Sequence, residues 1–247
     1  MTITLNPREF IHNFIDPLSE IDKVGRVSLY NSGGKDIYTV VSTPSGGIHL
    51  YNTFSAFEVT DPIDRCSINI QKLCRGLNCI PRDTTMVVLT IDPKKGVCAF
   101  STPDVKFNIR LLDDNMIAVS KFNIETFHKF PFHHEVAVSE AKLAGIKKVM
   151  DFCPDNKKFH LIQENKCVYF YFGDKLSTSN HTDDIQILVA DDVQTQVPTK
   201  IYDIDVLRLI LRQRNKFTMK IHDNGVMCID SVLSNTTQKY ITVPLLK

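Results

Sequence analysis

An α+β fold built on antiparallel sheets, with one strand–helix–strands unit used four times, is what this 247-residue chain predicts. Three observations carry that expectation. Short runs rich in β-branched and aromatic residues are separated by turn signals such as Asn31-Ser-Gly-Gly34, Pro44-Ser-Gly-Gly47 and Asp223-Asn-Gly225. Four segments change their apolar period from two to 3.6 residues, the mark of a strand giving way to a helix. Residues 113–131 mix acidic residues with aliphatics and phenylalanines and interrupt the series after its second unit. The halves are therefore expected as domains 1–119 and 120–247, the second beginning with the connector.

Each element follows in order. Thr2 to Leu5 reads as a strand. Pro7, an early-turn residue, opens a helix whose stripe is Phe10, Ile11, Phe14 and Leu18 and which Pro17 is expected to close. Arg26 to Tyr30, Ile37 to Ser42 and Ile48 to Phe57 make hairpins, and Arg65 to Ile70 is a strand leading into a helix over Gln71 to Cys79. That helix turns Leu73, Leu77 and Ile80 inward and Lys72, Arg75 and Asn78 outward. Met86 to Ile91, Val97 to Ser101 and Val105 to Leu112 complete the first half. The last of these alternates, with Val105, Phe107, Ile109 and Leu111 on one face and Lys106, Asn108 and Arg110 on the other.

The second half restarts with His134 to Val138. Ser139 is expected to cap the helix that begins at Glu140, Leu143, Ile146, Val149 and Met150 form its apolar side, and Pro154 ends it. Lys158 to Gln163, Cys167 to Phe172 and Ile185 to Asp191 are strands. Thr199 to Ile204 leads to a helix over Val206 to Asn215 with Arg208 and Arg212 outward, and three further strands end at Val243. Val168 to Phe172 carries no charge. Such a run is either an interior strand covered on both faces or an edge that a partner chain occupies.

Composition excludes several classes. A net charge of +1 leaves no global basic footprint, so any contact with nucleic acid has to be local. No apolar run is long enough to span a bilayer and the amino terminus lacks a signal-peptide pattern, which points to the cytoplasm, or the nucleus in a eukaryotic host, and not to secretion. Seven cysteines, an odd number set in apolar contexts, read as reduced buried thiols. Ser32-Gly-Gly-Lys35 lacks the spacing of a phosphate loop and sits between strands, so it reads as a hairpin turn. His128, His133 and His134 with Cys153 match no ligand spacing, and no acid/base pair stands out. No metal, no cofactor and no enzymatic activity are expected.

The layout, together with His134-Glu-Val-Ala-Val-Ser-Glu-Ala-Lys-Leu-Ala-Gly-Ile-Lys-Lys-Val149, Ile201-Tyr-Asp-Ile-Asp-Val-Leu-Arg-Leu-Ile-Leu211 and Gln238-Lys-Tyr-Ile-Thr-Val-Pro-Leu-Leu-Lys247, resembles the DNA sliding clamps. These are ring-shaped polymerase processivity factors, and the similarity is to the two-domain subunits of eukaryotic, archaeal and T4-like phage clamps. A viral or phage origin fits that type. The resemblance implies two similar clamp-type domains, each with curved antiparallel sheets outside and two helices inside, and three subunits closed head to tail as a homotrimer around double-stranded DNA. If helices line such a bore, their solvent faces need cations that meet phosphates without reading bases. Lys72 and Arg75, then Lys142, Lys147 and Lys148, then Arg208 and Arg212 meet that need, whereas the first helix sets Arg8 and His12 beside Glu9 and Asp16.

The resemblance further implies a docking groove for hydrophobic tails of a DNA polymerase, a clamp loader and a late transcription factor, at Met116, Ile117 and Val119 with Val243, Pro244 and Leu245. It implies a subunit seam in which Val105, Phe107, Ile109 and Leu111 meet Val168, Phe170 and Phe172 of the next copy. The competing reading is a clamp-fold adaptor in transcription or repair that works by protein contacts and never closes a ring.

Overall fold

The computed structural model describes residues 1–21, 25–31, 33–103, 105–117, 123–173, 184–212 and 215–245. The chain folds as two compact units, Met1–Asn123 with Leu233–Gln238, and Ile124–Val232 with Lys239–Lys247. Residues 118–122, where the sequence suggests a domain boundary, lie outside the described residues. The sequence reading leaves Leu233–Gln238 in the second half, but here these residues join the first unit.

In the first unit the strands are β1 (Thr2–Leu5), β2 (Arg26–Tyr30), β3 (Asp36–Ser42), β4 (Ile48–Ser55), β5 (Glu58–Thr60), β6 (Arg65–Asn69), β7 (Val87–Asp92), β8 (Val97–Ser101) and β9 (Lys106–Arg110). One sheet runs β5-β1-β7-β8-β9, all antiparallel, and another joins β4, β3, β2 and β6 in that order. The strand expected over Ile48 to Phe57 ends at Ser55, and β5, which the sequence reading does not include, follows and pairs with β1.

The helix after β1 is the element that departs most from expectation. It begins as α1 (Pro7–Glu9), where the Asn6 side chain accepts the N–H groups of Arg8 and Glu9. It widens to a π-helix over Phe10–Ile15 and continues as α2 (Asp16–Ile21), so Pro17 does not close it. The reason is local. A proline at position 17 has no N–H to give the carbonyl of Asn13 four residues back, and its ring crowds that carbonyl in an ordinary α-helical turn. The π widening relieves the crowding, and buried side-chain amides take over the orphaned acceptors. Gln238 Nε2 donates to Asn13 O at 2.8 Å and Asn52 Nδ2 to Phe14 O at 2.9 Å. Phe10 and Phe14 stack at 5.0 Å, and Phe54 from β4 meets Phe10 edge-on at 4.9 Å, all three fully buried. The unit's other helix, α3 (Ile70–Asn78), follows β6 where the sequence places it.

The second unit contains α4 (Ile124–His128), a short helix inside the stretch read as a connector, then β10 (His134–Val138), α5 (Glu140–Phe152), β11 (Lys158–Glu164), β12 (Cys167–Phe172), β13 (Ile185–Ala190), β14 (Lys200–Asp203), α6 (Asp205–Arg212), β15 (Phe217–Ile221) and β16 (Met227–Val232). The last strand, β17 (Thr236–Thr242), starts in the first unit and ends in the second. One sheet is ordered β13-β12-β11-β14, while β10, β15, β16 and β17 are neighbours in another. Phe159, Phe170, Phe172 and Tyr202 form the unit's aromatic core, and the Tyr202 hydroxyl donates to Gly225 O at 2.8 Å. Ser139 occupies the cap position of α5 in extended conformation but makes no side-chain capping bond. Of the cysteines, all free, Cys66, Cys98, Cys153 and Cys228 are buried, Cys74 and Cys167 half-buried and Cys79 exposed. Burial pushes the thiols of Cys66 and Cys98 up to about 12, which keeps them protonated and inert.

Gln238→Leu is expected to remove the donor to Asn13 O and to lower unfolding free energy by about 1 kcal/mol in chemical denaturation. In a Pro17→Ala background, where the backbone N–H returns, the same change costs less; an equal cost in both backgrounds contradicts this origin of the π turn.

Candidate nucleic-acid interface

In each unit one arginine ties a helix to the carboxyl end of another. In the first unit, the Arg8 guanidinium donates to Ile80 O at 2.7 Å and to Asn78 Oδ1 at 3.3 Å, at the carboxyl end of α3. In the second, Arg208 on α6 donates to Pro154 O at 3.0 Å and Asn156 O at 3.3 Å, just past the carboxyl end of α5, while Asp205 accepts from it at 2.8 Å. A cation at a helix carboxyl end meets the last unpaired carbonyls and the negative end of the dipole. Arg208, which helical spacing makes a solvent-facing cation, is thus half-buried and engaged with the protein. The sequence misses the role of both arginines, because a guanidinium that binds carbonyls and one that faces water occupy the same position in a 3.6-residue pattern.

The other cations divide by exposure. Lys72 and Arg75 stand exposed on α3, whose start is capped by Asn69 accepting from Lys72 N at 2.9 Å. Leu73, Gly76 and Leu77 form the buried side of that helix. Gly76 is obligatory there, since a Cβ would lie 2.9 Å from the ring of Phe100, which stacks on Phe107 of β9 at 5.0 Å. On α5, Lys147 and Lys148 are exposed and Lys142 is half-buried, and on α6 Arg212 is exposed. Gly145 of α5 lies against Ile187 of β13, where an added Cβ would meet its Cδ1 at 3.0 Å. In both units, then, a helix glycine backs onto a strand at the rim of a sheet.

Among the described residues, each of those rim strands has a paired neighbour on one side only. β9 pairs with β8 and ends the first sheet; β13 pairs with β12 and ends its own. This corrects the seam expected from the sequence. β12, with Val168, Phe170 and Phe172 fully buried, is interior: β11 and β13 occupy its two edges, so its backbone has no donors left for another chain. Of the residues expected on the other side, Ile109 is buried against its own unit and Val105, Phe107 and Leu111 are half-buried.

No protein-family model and no curated protein matches the chain. Solved structures match it over almost their whole length. The chain aligns with the A. fulgidus PCNA solved with the C-terminal region of FEN-1 bound, at a TM-score of 0.75 and 10% identity, covering 100% of this chain and 98% of that one. It aligns with Entamoeba histolytica proliferating cellular nuclear antigen at 0.73 and 11%, covering 99% and 98%. With a chain of the PCNA2-PCNA3 complex from Sulfolobus tokodaii the values are 0.71 and 10%, covering 99% of each. The fold is that of the DNA sliding clamps. At such identities the likeness is one of backbone layout, held by different side chains.

Within this clamp fold the residues expected to dock partner tails are distributed over both units. In the first, Ile117 is half-buried after a 3₁₀ turn (Asp114–Met116) whose start Asp113 caps, accepting from Asn115 N at 2.9 Å. Val119 and the side chain of Met116 lie outside what the structure describes. In the second, Val243 and Leu245 are exposed at 48% and 42%, Pro244 is half-buried, and Leu245 N donates to Ile201 O at 2.8 Å, so the tail lies along β14. His133 and His134 meet at one carboxylate. Asp223 takes His133 Nδ1 at 3.0 Å and His134 Nε2 at 2.7 Å, and the His134 bond holds its carboxyl below the usual carboxylate range. Among the described residues no group of three or more histidine, cysteine or acidic side chains could hold a metal ion, and no helix is long and apolar enough to cross a membrane.

Arg8→Ala and Arg208→Ala are each expected to cost about 1–2 kcal/mol in unfolding free energy, because helix-end carbonyls lose a charged donor. Lys148→Ala, an exposed change, stays within about 0.5 kcal/mol. An Arg208→Ala variant as stable as wild type in thermal and chemical denaturation would overturn the tether.

Proposed function

We propose that this protein is a DNA sliding clamp: a processivity factor, without chemistry of its own, that encircles duplex DNA and tethers the replicative polymerase. The observation that carries the reading is the whole-chain agreement with the PCNA structures, joined to exposed cations on helices of both units. Lys72, Arg75, Lys147, Lys148 and Arg212 contact phosphates without sequence preference, with Lys142 at the margin and Arg208 serving as a tether. Weak contacts suit a sliding role, since each phosphate neutralised adds salt-sensitive affinity but reads no base. The ring is a homotrimer closed head to tail, which uses two different edges and pairs each with the other. The edges are β9 of one copy and β13 of the next. Hydrophobic tails of the polymerase, of a clamp loader and of a late transcription factor dock at Val243 and Leu245, as the A. fulgidus protein takes the C-terminal region of FEN-1.

Two measurements test this. Replacing Lys148 and Arg212 with Glu is expected to lower duplex affinity and to reduce the slope of log K against log salt by about one for each phosphate no longer neutralised, without loss of folding. An unchanged slope removes the bore assignment. Leu245→Asp with Val243→Asp is expected to abolish binding of polymerase tail peptides while leaving the oligomer intact; undiminished binding displaces the docking site.

A further inference from the structure

Two serines in the first unit are buried where strand alternation would leave one face in water. Ser28 of β2 and Ser67 of β6 are register partners, 7% and 1% exposed, and the three central residues of both strands are buried in succession. The chain leaving β9 lies against them. Leu112 N donates to Ser67 O at 2.9 Å, and two residues further on the Asp114 carboxylate takes the Ser67 hydroxyl.

The order of the hydrogens follows from the end groups. A carboxylate only accepts, so the single Ser67 hydroxyl hydrogen goes to Asp114, and Ser67 Oγ then accepts from Ser28 Oγ at 3.2 Å. Ser28 Oγ in turn accepts from Arg65 Nε at 3.0 Å. A guanidinium is thus joined to a carboxylate through two buried hydroxyls. Its two ends also approach directly: Arg65 Nε lies 3.9 Å from Asp114 Oδ1, and Arg65 Nη2 donates to Asp114 O at 3.4 Å. Bonds chained in this way polarise one another in a dry setting and hold their ends more firmly than separate bonds would. Asp114 is the first residue of the 3₁₀ turn, and its carbonyl accepts Ile117 N at 3.4 Å, so the relay holds the turn that presents Ile117.

Resting on the docking of partner tails proposed above, we infer that Arg65, Ser28, Ser67 and Asp114 form a positioning relay for that docking. They set where the segment leaving the first unit begins, and with it the place of Ile117, an aliphatic side chain left half-exposed. The four act through Ile117 and need touch no partner themselves. Apolar residues at positions 28 and 67 would suit a covered sheet equally well, but they would give the Asp114 carboxylate no hydroxyl and leave the start of the segment without a fixed point.

Hydrogen exchange and peptide binding on the full chain test this. Ser67→Ala and Asp114→Ala are each expected to speed exchange of the Asn115 and Ile117 amides about tenfold and to weaken binding of a polymerase tail peptide about tenfold, with the amides of α3 unaffected. The double variant is expected to lose no more than either single one, because both changes cut one relay. Ser28→Ala, which leaves Ser67 and Asp114 in place, gives the same pattern more weakly. Should the buried change Ser67→Ala prevent folding, Ser28→Ala with Asp114→Ala forms the same cycle. Unchanged exchange at Asn115 and Ile117, or an additive loss of about a hundredfold in the double variant, overturns the relay. Faster exchange with unchanged peptide affinity overturns its role in docking. A wild-type chain that binds no tail peptide overturns the docking itself, and the exchange rates alone then decide the relay.

Discussion

In both units a guanidinium holds the carboxyl end of one helix to the body of the other. Arg8 does this from the first helix toward the second, and Arg208 from the second toward the first, so the two bonds run in opposite chain directions and produce the same result. Which side chains each helix offers to solvent depends on that bond, because it sets the rotation of one helix against its neighbour. Lys72 and Arg75 face outward on α3 because Leu73, Gly76 and Leu77 are held down, and Lys147 and Lys148 face outward on α5 because Leu143, Ile146 and Met150 are. The cations left exposed on α3 and α5 are those not engaged in holding the helices.

The helices in turn back onto the rims of the sheets. Gly76 lets α3 close on Phe100 and Phe107, and Gly145 lets α5 close on Ile187. A rim strand is a hazard when it is flat and apolar, and proteins blunt such edges with charge. Here exposed lysine and arginine lie on β9 and exposed aspartates flank β13.

Much of this is legible in the sequence, and the exceptions have physical reasons. Strand and helix alternation is readable because every unit keeps one buried face, which writes a period of two or 3.6 into the residues. Pro17 misleads, since a proline inside a helical pattern usually ends it; the continuation depends on Gln238, 225 residues away from Asn13, donating to the carbonyl that Pro17 leaves unpaired. The uncharged run Val168 to Phe172 allows two readings, edge or interior, and only the pairing of β12 with both β11 and β13 decides for interior. Ser139 has the right residue type and backbone for a cap, yet its hydroxyl makes no capping bond. For the candidate site, the exposed lysines are readable from helical spacing, whereas Arg8 and Arg208 require knowing where the neighbouring helix ends.

If the chain works as a ring with its helices inward, the assembled protein should show it under the electron microscope. Closed rings of three copies are expected, with a central opening bordered by α3 and α5 and seams formed by β9 and β13. Isolated single copies, or assemblies in which α3 and α5 face outward, would rule the ring out.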